Sequence, residues 1–368
     1  MKASCSKSNV RRYDTNSVRS YDVAVIAGDG IGPEVIAAGR RILDAAADGF
    51  ALRWRELDWS CARYRATGAM MPVDGLAQLA SCAAIYLGAV GDPAVPDHVS
   101  LWGLLLPIRQ AFQLYANVRP VRLLAGVPTV LTDRGPSDID MVWVRENTEG
   151  EYAGVGGRIH EGDPAEVATQ TAVFTRAGTE RVVRYAFELA RSRPRKLLAS
   201  CTKSNALRYT AVLWDDVVAE VSRDFADVRV ERYLVDALAA RMVARPDSLD
   251  VVVASNLYAD ILTDLGGAIA GSLGMAPSAN LDPTRRYPSL FEPVHGSAPD
   301  IAGKGIANPV GAVWAGALML EHLGEHDAAR RVMHALEDAI ADPANHTPDL
   351  HGVARTADVT GAIVAALE

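Results

Sequence analysis

Apolar positions along the chain follow two rhythms. Short, nearly unbroken runs occur at residues 22–28 (DVAVIAG), 83–90 (AAIYLGAV), 140–147 (DMVWVREN), 196–203 (KLLASCTK) and 250–255 (DVVVAS). Such runs read as strands buried on both faces, as in a parallel sheet covered by helices. YANVRPVRL (115–123) and DVRVERYLV (227–235) are further strand runs. Helical patterns lie between them. One runs from Pro33 to Ala47, and another at 207–221 puts Leu207, Trp214, Val217, Val218 and Val221 on one helical face. Strands alternating with helices predict an α/β protein with a largely parallel sheet. The longest apolar stretch, Ala307–Leu320, contains Asn308 and Pro309. It falls short of the roughly 20 residues that cross a bilayer and reads as a buried helix. No internal repeat or low-complexity linker interrupts the pattern.

The first strand leads into VIAGDGIGPE (25–34), a glycine-rich turn that opens a helix. It departs from the dinucleotide fingerprint, whose third glycine stands three residues after the second. Counted from Gly30, that place holds Pro33, a good first-turn residue that does nothing for close strand contact. No acid follows in a ribose-binding position, since Asp44 lies within the helical pattern. A dinucleotide bound here needs other machinery.

Composition narrows the class. The chain has 368 residues, 49% hydrophobic and 22% charged, enough for one large or two ordinary domains with a sizeable core. Its net charge of -8 argues against a nucleic-acid partner, because phosphate neutralisation needs a basic surface. Cys5, Cys61, Cys82 and Cys201 are far apart and form no C-x-x-C pair, a pattern that fits a reducing cytoplasm. Residues 1–20 are basic and serine-rich without an apolar signal core, and read as a disordered N-terminal extension. Membrane association is not expected.

Several polar residues stand out against this background. Arg109, Arg119 and Arg145 present planar forks matched to carboxylates, and Arg145 ends an apolar strand, where α/β ligands sit. Asp260 and Asp264 are four apart on a predicted helix, so their carboxylates stack one turn from each other. They read either as acids favoured near the helix N-terminus or as oxygen ligands for magnesium or manganese. Asp236 is a natural further ligand. Lys203, at a strand end, has the chemistry of a general base, and Tyr152 that of a proton donor. The segment 291–309, FEPVHGSAPDIAGKGIANP, is held irregular by its glycines and prolines. Long loops of this kind bind ligands, and amides freed at Gly296, Gly303 and Gly305 suit phosphates.

In order along the chain, GDGIGPE, YANVRP, VRENTEGEY, TKSN, VDA, NLYADILTDL and FEPVHGSAPDIAGKGIANP resemble the motifs of the β-decarboxylating 2-hydroxyacid dehydrogenases. These are the isocitrate and 3-isopropylmalate dehydrogenase family, and the resemblance spans about residues 21–365. It implies a two-domain α/β fold with a large mixed, mostly parallel sheet that is not a Rossmann fold. It also implies an NAD-binding domain at 21–114 plus 272–368, and a substrate, metal and dimerisation domain at 115–271. Carried over to this sequence, Arg109, Arg119 and Arg145 bind substrate carboxylates, while Asp236, Asp260 and Asp264 hold Mn2+ or Mg2+. Lys203 takes part in deprotonating the hydroxyl and Tyr152 in protonating the enolate carbon. Ile31, Glu292, His295, Gly296, Ser297, Ala298, Asp300 and Asn308 contact the cofactor. Asp300, on the adenosine ribose, selects NAD over NADP. Potassium is a further cation the resemblance brings. Lys203 and Asp236 reach the site from a second subunit, so the implied unit is a homodimer.

Residues 88–108 and 70–76 resemble the branch of that family acting on tartrate and D-malate. Leu105 and Leu106 occupy the leucine places of the isopropylmalate enzymes, but Trp102 stands where those enzymes carry an acid. A bulky indole leaves a small pocket, suited to a four-carbon hydroxy acid. The expected reaction is NAD-dependent oxidation and β-decarboxylation, (R)-malate giving pyruvate and CO2. The enzyme alternative is 3-isopropylmalate dehydrogenase, and a non-catalytic regulatory subunit is the alternative of another class.

Overall fold

The structure is a computed structural model that describes residues 19–368. Twelve strands follow in chain order: β1 Arg19–Gly28, β2 Phe50–Glu56, β3 Ala84–Ala89, β4 Ala116–Arg122, β5 Asp140–Glu146, β6 Gly150–Ile159, β7 Val167–Val173, β8 Leu197–Thr202, β9 Arg229–Leu234, β10 Val251–Ala254, β11 Pro277–Leu281 and β12 Ser289–Pro293. Ten of them form one sheet in the order β2-β1-β3-β12-β11-β4-β5-β10-β8-β9, and β6 and β7 form a separate ribbon. Pairing is parallel except at the centre, where β12-β11, β11-β4 and β4-β5 run antiparallel. The sheet is therefore mixed and mostly parallel, as expected.

Helices cover both faces, which is why β3, β8 and β10 are buried along their whole length. Helices Arg176–Ser192 and Thr210–Val221 pack Phe187 and Trp214 against Val144, Leu198 and Val253. Helix Val310–Leu323 is buried nearly all round, so its sequence carries almost no polar face. This is the helix read from the longest apolar stretch. No described helix is long and apolar enough to cross a membrane.

The glycine turn after β1 exists for close approach. Gly28 and Gly30 have φ of +74° and +58°, and a β-carbon on Gly30 would stand 1.9 Å from the Ser297 carbonyl oxygen. The Ile31 amide donates to that same oxygen at 2.8 Å. The loop thus grips residues 291–309 rather than closing on a helix in the fingerprint manner.

Three expectations are corrected. Residues 1–18 of the expected extension lie outside the described residues, but Arg19 and Ser20 pair with Phe50 and Ala51 and open β1. Residues 291–293 belong to β12, because pairing with β3 and β11 overrides the local proline signal. Leu207 precedes the helix Thr210–Val221 and is exposed, while Trp214, Val217, Val218 and Val221 are buried.

Candidate active site

Arg119 and Arg145 stand on the central antiparallel pair, where register places Asn117 of β4 opposite Arg145 of β5. Helix Leu106–Ala111 brings Arg109, and helix Asn256–Ile269, which follows β10, brings Asp260 and Asp264. All three arginines are buried. Guanidinium groups so placed need fixed partners. Arg109 Nη2 donates to Glu292 Oε1 at 2.8 Å. Arg119 donates through Nε to Asn117 Oδ1 at 2.8 Å and through Nη1 to Thr263 Oγ1 at 2.6 Å. Arg145 Nε donates to Asn256 Oδ1 at 2.9 Å, and its Nη1 donates to Asp260 Oδ1. Arg119 Nη1 lies 3.4 Å from that same oxygen.

Charge crowding shows in the titration of these groups. Burial and the Arg119 charge push the Arg145 guanidinium down to about 9, so it stays cationic at neutral pH. Burial and the Arg109 charge likewise lower Arg119. Burial acts to raise Asp260, yet Arg145 and Arg119 hold it below the ordinary carboxylate range. Asp264 goes the other way, raised by burial and by the charge of Asp260. Tyr152 Oη donates to Asp260 Oδ2 at 3.1 Å, and Arg145 stacks 5.5 Å over its ring. Burial and Asp260 raise the phenol, which keeps its proton at neutral pH. One carboxylate thus joins a tyrosine to two guanidinium groups.

Lys203 and Asp236 lie elsewhere. β8 and β9 are parallel neighbours, and just beyond them Lys203 Nζ bonds Asp236 Oδ1 at 2.5 Å. That bond lowers the Asp236 carboxyl. Among the described residues no three His, Cys, Asp or Glu side chains gather in metal-binding geometry. Asp260 and Asp264 supply two adjacent carboxylates; burial and then the Asp260 charge raise Asp264, and a divalent cation would relieve the second of these. The donor set fits such an ion but needs a further oxygen ligand.

Of the cofactor candidates, Glu292, His295 and Gly296 line one cleft, and Ile31, Ser297, Ala298, Asp300 and Asn308 lie outside its lining. A hollow of about 250 Å3 is bounded by Gly88, Val90, Ser100, Leu105, Glu292, His295 and Gly296. His295 Nδ1 meets the Gly296 carbonyl at 2.9 Å, and its Nε2 is buried without a partner. Burial lowers its pKa, so the ring is neutral. An orphaned donor or acceptor on a concave, largely apolar wall fits a dinucleotide. Asp300 is exposed on the turn beyond it, and Asn308 donates to Asp349 Oδ2 at 3.0 Å. Ile31 and Ser297 are joined by the backbone bond described above. Ala298 has φ of +40°, a strained value for a residue with a side chain.

Sequence reasoning missed the supporting residues. Asn117, Asn147, Asn256, Thr263 and Asn280 hold the arginines or one another. Asp29, inside the glycine turn, accepts from the backbone amides of Cys61 and Gly91 and so ties three loops. Asn256 opens the Asp260 helix and was findable there. No local signal marks Asn280.

Known proteins resemble this chain along nearly its whole length. Residues 22–363 match the family model described as isocitrate/isopropylmalate dehydrogenase. The chain is 56% identical over 353 residues to a probable tartrate dehydrogenase/decarboxylase of Agrobacterium vitis, covering 95% of this chain and 98% of that one. It is 52% identical to the decarboxylating D-malate dehydrogenase of Escherichia coli K12, over 94% and 98% of the two chains. The crystal structure of isocitrate dehydrogenase from Methylococcus capsulatus superposes with a TM-score of 0.86 at 38% identity, covering 94% and 99%.

Proposed function

The chain belongs to the isocitrate/isopropylmalate dehydrogenase family, and from that premise we propose that it is an NAD-dependent tartrate and decarboxylating D-malate dehydrogenase. Likeness to the tartrate and D-malate enzymes over nearly the full chain supports the substrate class. The observation that carries the site is the Asp260 carboxylate, joined to Arg119, Arg145 and Tyr152. Division into an NAD-binding part (21–114 plus 272–368) and a substrate part (115–271) goes with this reading.

Bound at Asp260, Asp264 and Asp236, Mn2+ or Mg2+ would supply Lewis acidity, while NAD in the His295 cleft would take the hydride. Arg109, Arg119 and Arg145 orient the two substrate carboxylates. Their burial strengthens each contact, since a low-dielectric surrounding screens charge poorly. Lys203 holds the proton that leaves the C2 hydroxyl. Tyr152, its phenol kept protonated, delivers a proton to the carbon that loses CO2. For Lys203 and Asp236 to take part, a second subunit must present them, which makes a homodimer the functional unit. Potassium is an additional activator in this reading.

Steady-state kinetics with NAD, Mn2+ and potassium test the reading. Turnover of D-malate and tartrate with kcat/KM above that for 3-isopropylmalate is the expected result. A preference for the branched acid rejects it.

A further inference from the structure

Two of the site arginines are joined by an unbroken chain of side-chain hydrogen bonds through the middle of the sheet. Arg119 Nε donates to Asn117 Oδ1 at 2.8 Å, and Asn117 Nδ2 donates to Asn280 Oδ1 at 2.9 Å. Asn280 Nδ2 donates to Glu292 Oε1 at 2.8 Å, the same oxygen that accepts from Arg109 Nη2 at 2.8 Å. The links stand on neighbouring strands. Asn280 of β11 pairs in register with Asn117 of β4, and β12, which carries Glu292, flanks it on the other side. Asn280 also accepts from Asn147 Nδ2 at 2.8 Å, and Asn147 lies two residues beyond Arg145. Its second amide hydrogen reaches the Leu290 carbonyl at 3.3 Å.

The Asn280 amide is fully subscribed, with two bonds accepted and two donated, and it is entirely buried. Asn147 Oδ1 and Arg109 Nε in the same network are buried without a partner, so the four satisfied bonds of Asn280 are what hold its neighbours in one geometry in this low-dielectric core. The network branches to Ser278 Oγ and to the Leu114 and Leu290 carbonyls, and two of its ends are the guanidinium groups of Arg119 and Arg109, so a change at Asn280 reaches both.

We infer that Asn280 is a positioning residue that sets the separation of Arg109 and Arg119 for a substrate bearing two carboxylates. This rests on the reading of those arginines as carboxylate ligands. Asparagine suits the post because it is neutral and both accepts and donates. An aspartate would face Glu292 with a second carboxylate and could not donate to it, and alanine would take one bond from each of Asn117, Asn147 and Glu292.

The test measures KM for D-malate and for NAD in Asn280→Ala and Asn280→Asp. The single variants are expected to raise the D-malate KM at least about tenfold while the NAD KM stays within about twofold. Equal rises in both KM values, or an unchanged D-malate KM in folded Asn280→Asp, overturn the inference. Failure of the substrate reading shows differently, as a wild type indifferent to D-malate. In that event 3-isopropylmalate, which carries the same pair of carboxylates, is the probe and the same criteria apply.

Discussion

The Trp102 indole lies on Gly154: a β-carbon at position 154 would stand 2.7 Å from the ring's Cη2. Gly154 has φ of +75° and sits two residues beyond Tyr152 on β6. Gln110 Nε2 donates to the Tyr152 carbonyl at 3.3 Å, so helix and ribbon are joined at this point. Trp102 itself lies in a π-turn, Leu101–Leu105, which ends just before Pro107, a residue without an amide hydrogen to give. Gly154→Ala is expected to lift the indole and enlarge the pocket. The ratio of kcat/KM for 3-isopropylmalate over D-malate should rise about tenfold, the scale of a small change in an apolar pocket. An unchanged ratio in folded protein means the indole does not gauge the substrate.

Tyr152→Phe removes a phenol whose proton is held in place by burial and Asp260. The expected loss in kcat is about 100-fold or more, with little change in KM, as for other positioned proton donors. Retention of wild-type kcat assigns the protonation to another group.

Asp300 is exposed, so substitution there does not disturb the core. Asp300→Lys is expected to erode discrimination against NADP by bringing a cation to its extra phosphate. Comparison of kcat/KM for the two cofactors reads it, and an unaltered NAD preference shows that the ribose lies elsewhere.

Lys203 and Asp236 pair with each other, apart from Asp260, which predicts complementation between subunits. Tyr152→Phe and Lys203→Ala homodimers should each be nearly inactive. Mixed refolding of the two should restore activity, because one site in a heterodimer is then intact. Mixtures no more active than the parents exclude a shared site.

His322 packs beside Phe291, with ring centroids 5.5 Å apart. Burial and the nearby Arg285 push its pKa down to about 4. The folded value lies below the unfolded one of about 6.5, so the unfolded chain binds the extra proton first. This contribution to stability is whole above about pH 6.5 and is lost as pH falls toward 4. Between pH 7 and 4.5, His322→Phe should lose less stability than wild type, by on the order of 2 kcal/mol in urea unfolding. Equal losses show that His322 is not the group responsible.

Much of this was legible along the chain, for identifiable reasons. β3, β8 and β10 are buried on both faces, so their residues are apolar without a break and announce themselves. β2 is an edge strand that keeps Arg53 and Arg55 among its apolar residues, and its pairing with β1 gave no local sign. β11 and β12 are short and begin or end in proline, so their place at the centre of the sheet is decided by tertiary pairing. The ribbon β6–β7 is mostly exposed and lacks an apolar pattern. In the site, charged residues with distinctive spacing were readable. The neutral amides that hold them were not, because Asn117 and Asn280 are separated by 163 positions and meet only across strands.

The bond between Ile31 and Ser297 has a consequence for how this enzyme can change. Backbone atoms fix the two loops to each other, and Gly30 leaves no space for any other residue. Three positions past Ser297, the side chain of residue 300 faces open solvent. Evolution therefore finds the anchor frozen and the tip free, and a lineage can exchange the residue at that tip without reshaping the scaffold beneath it.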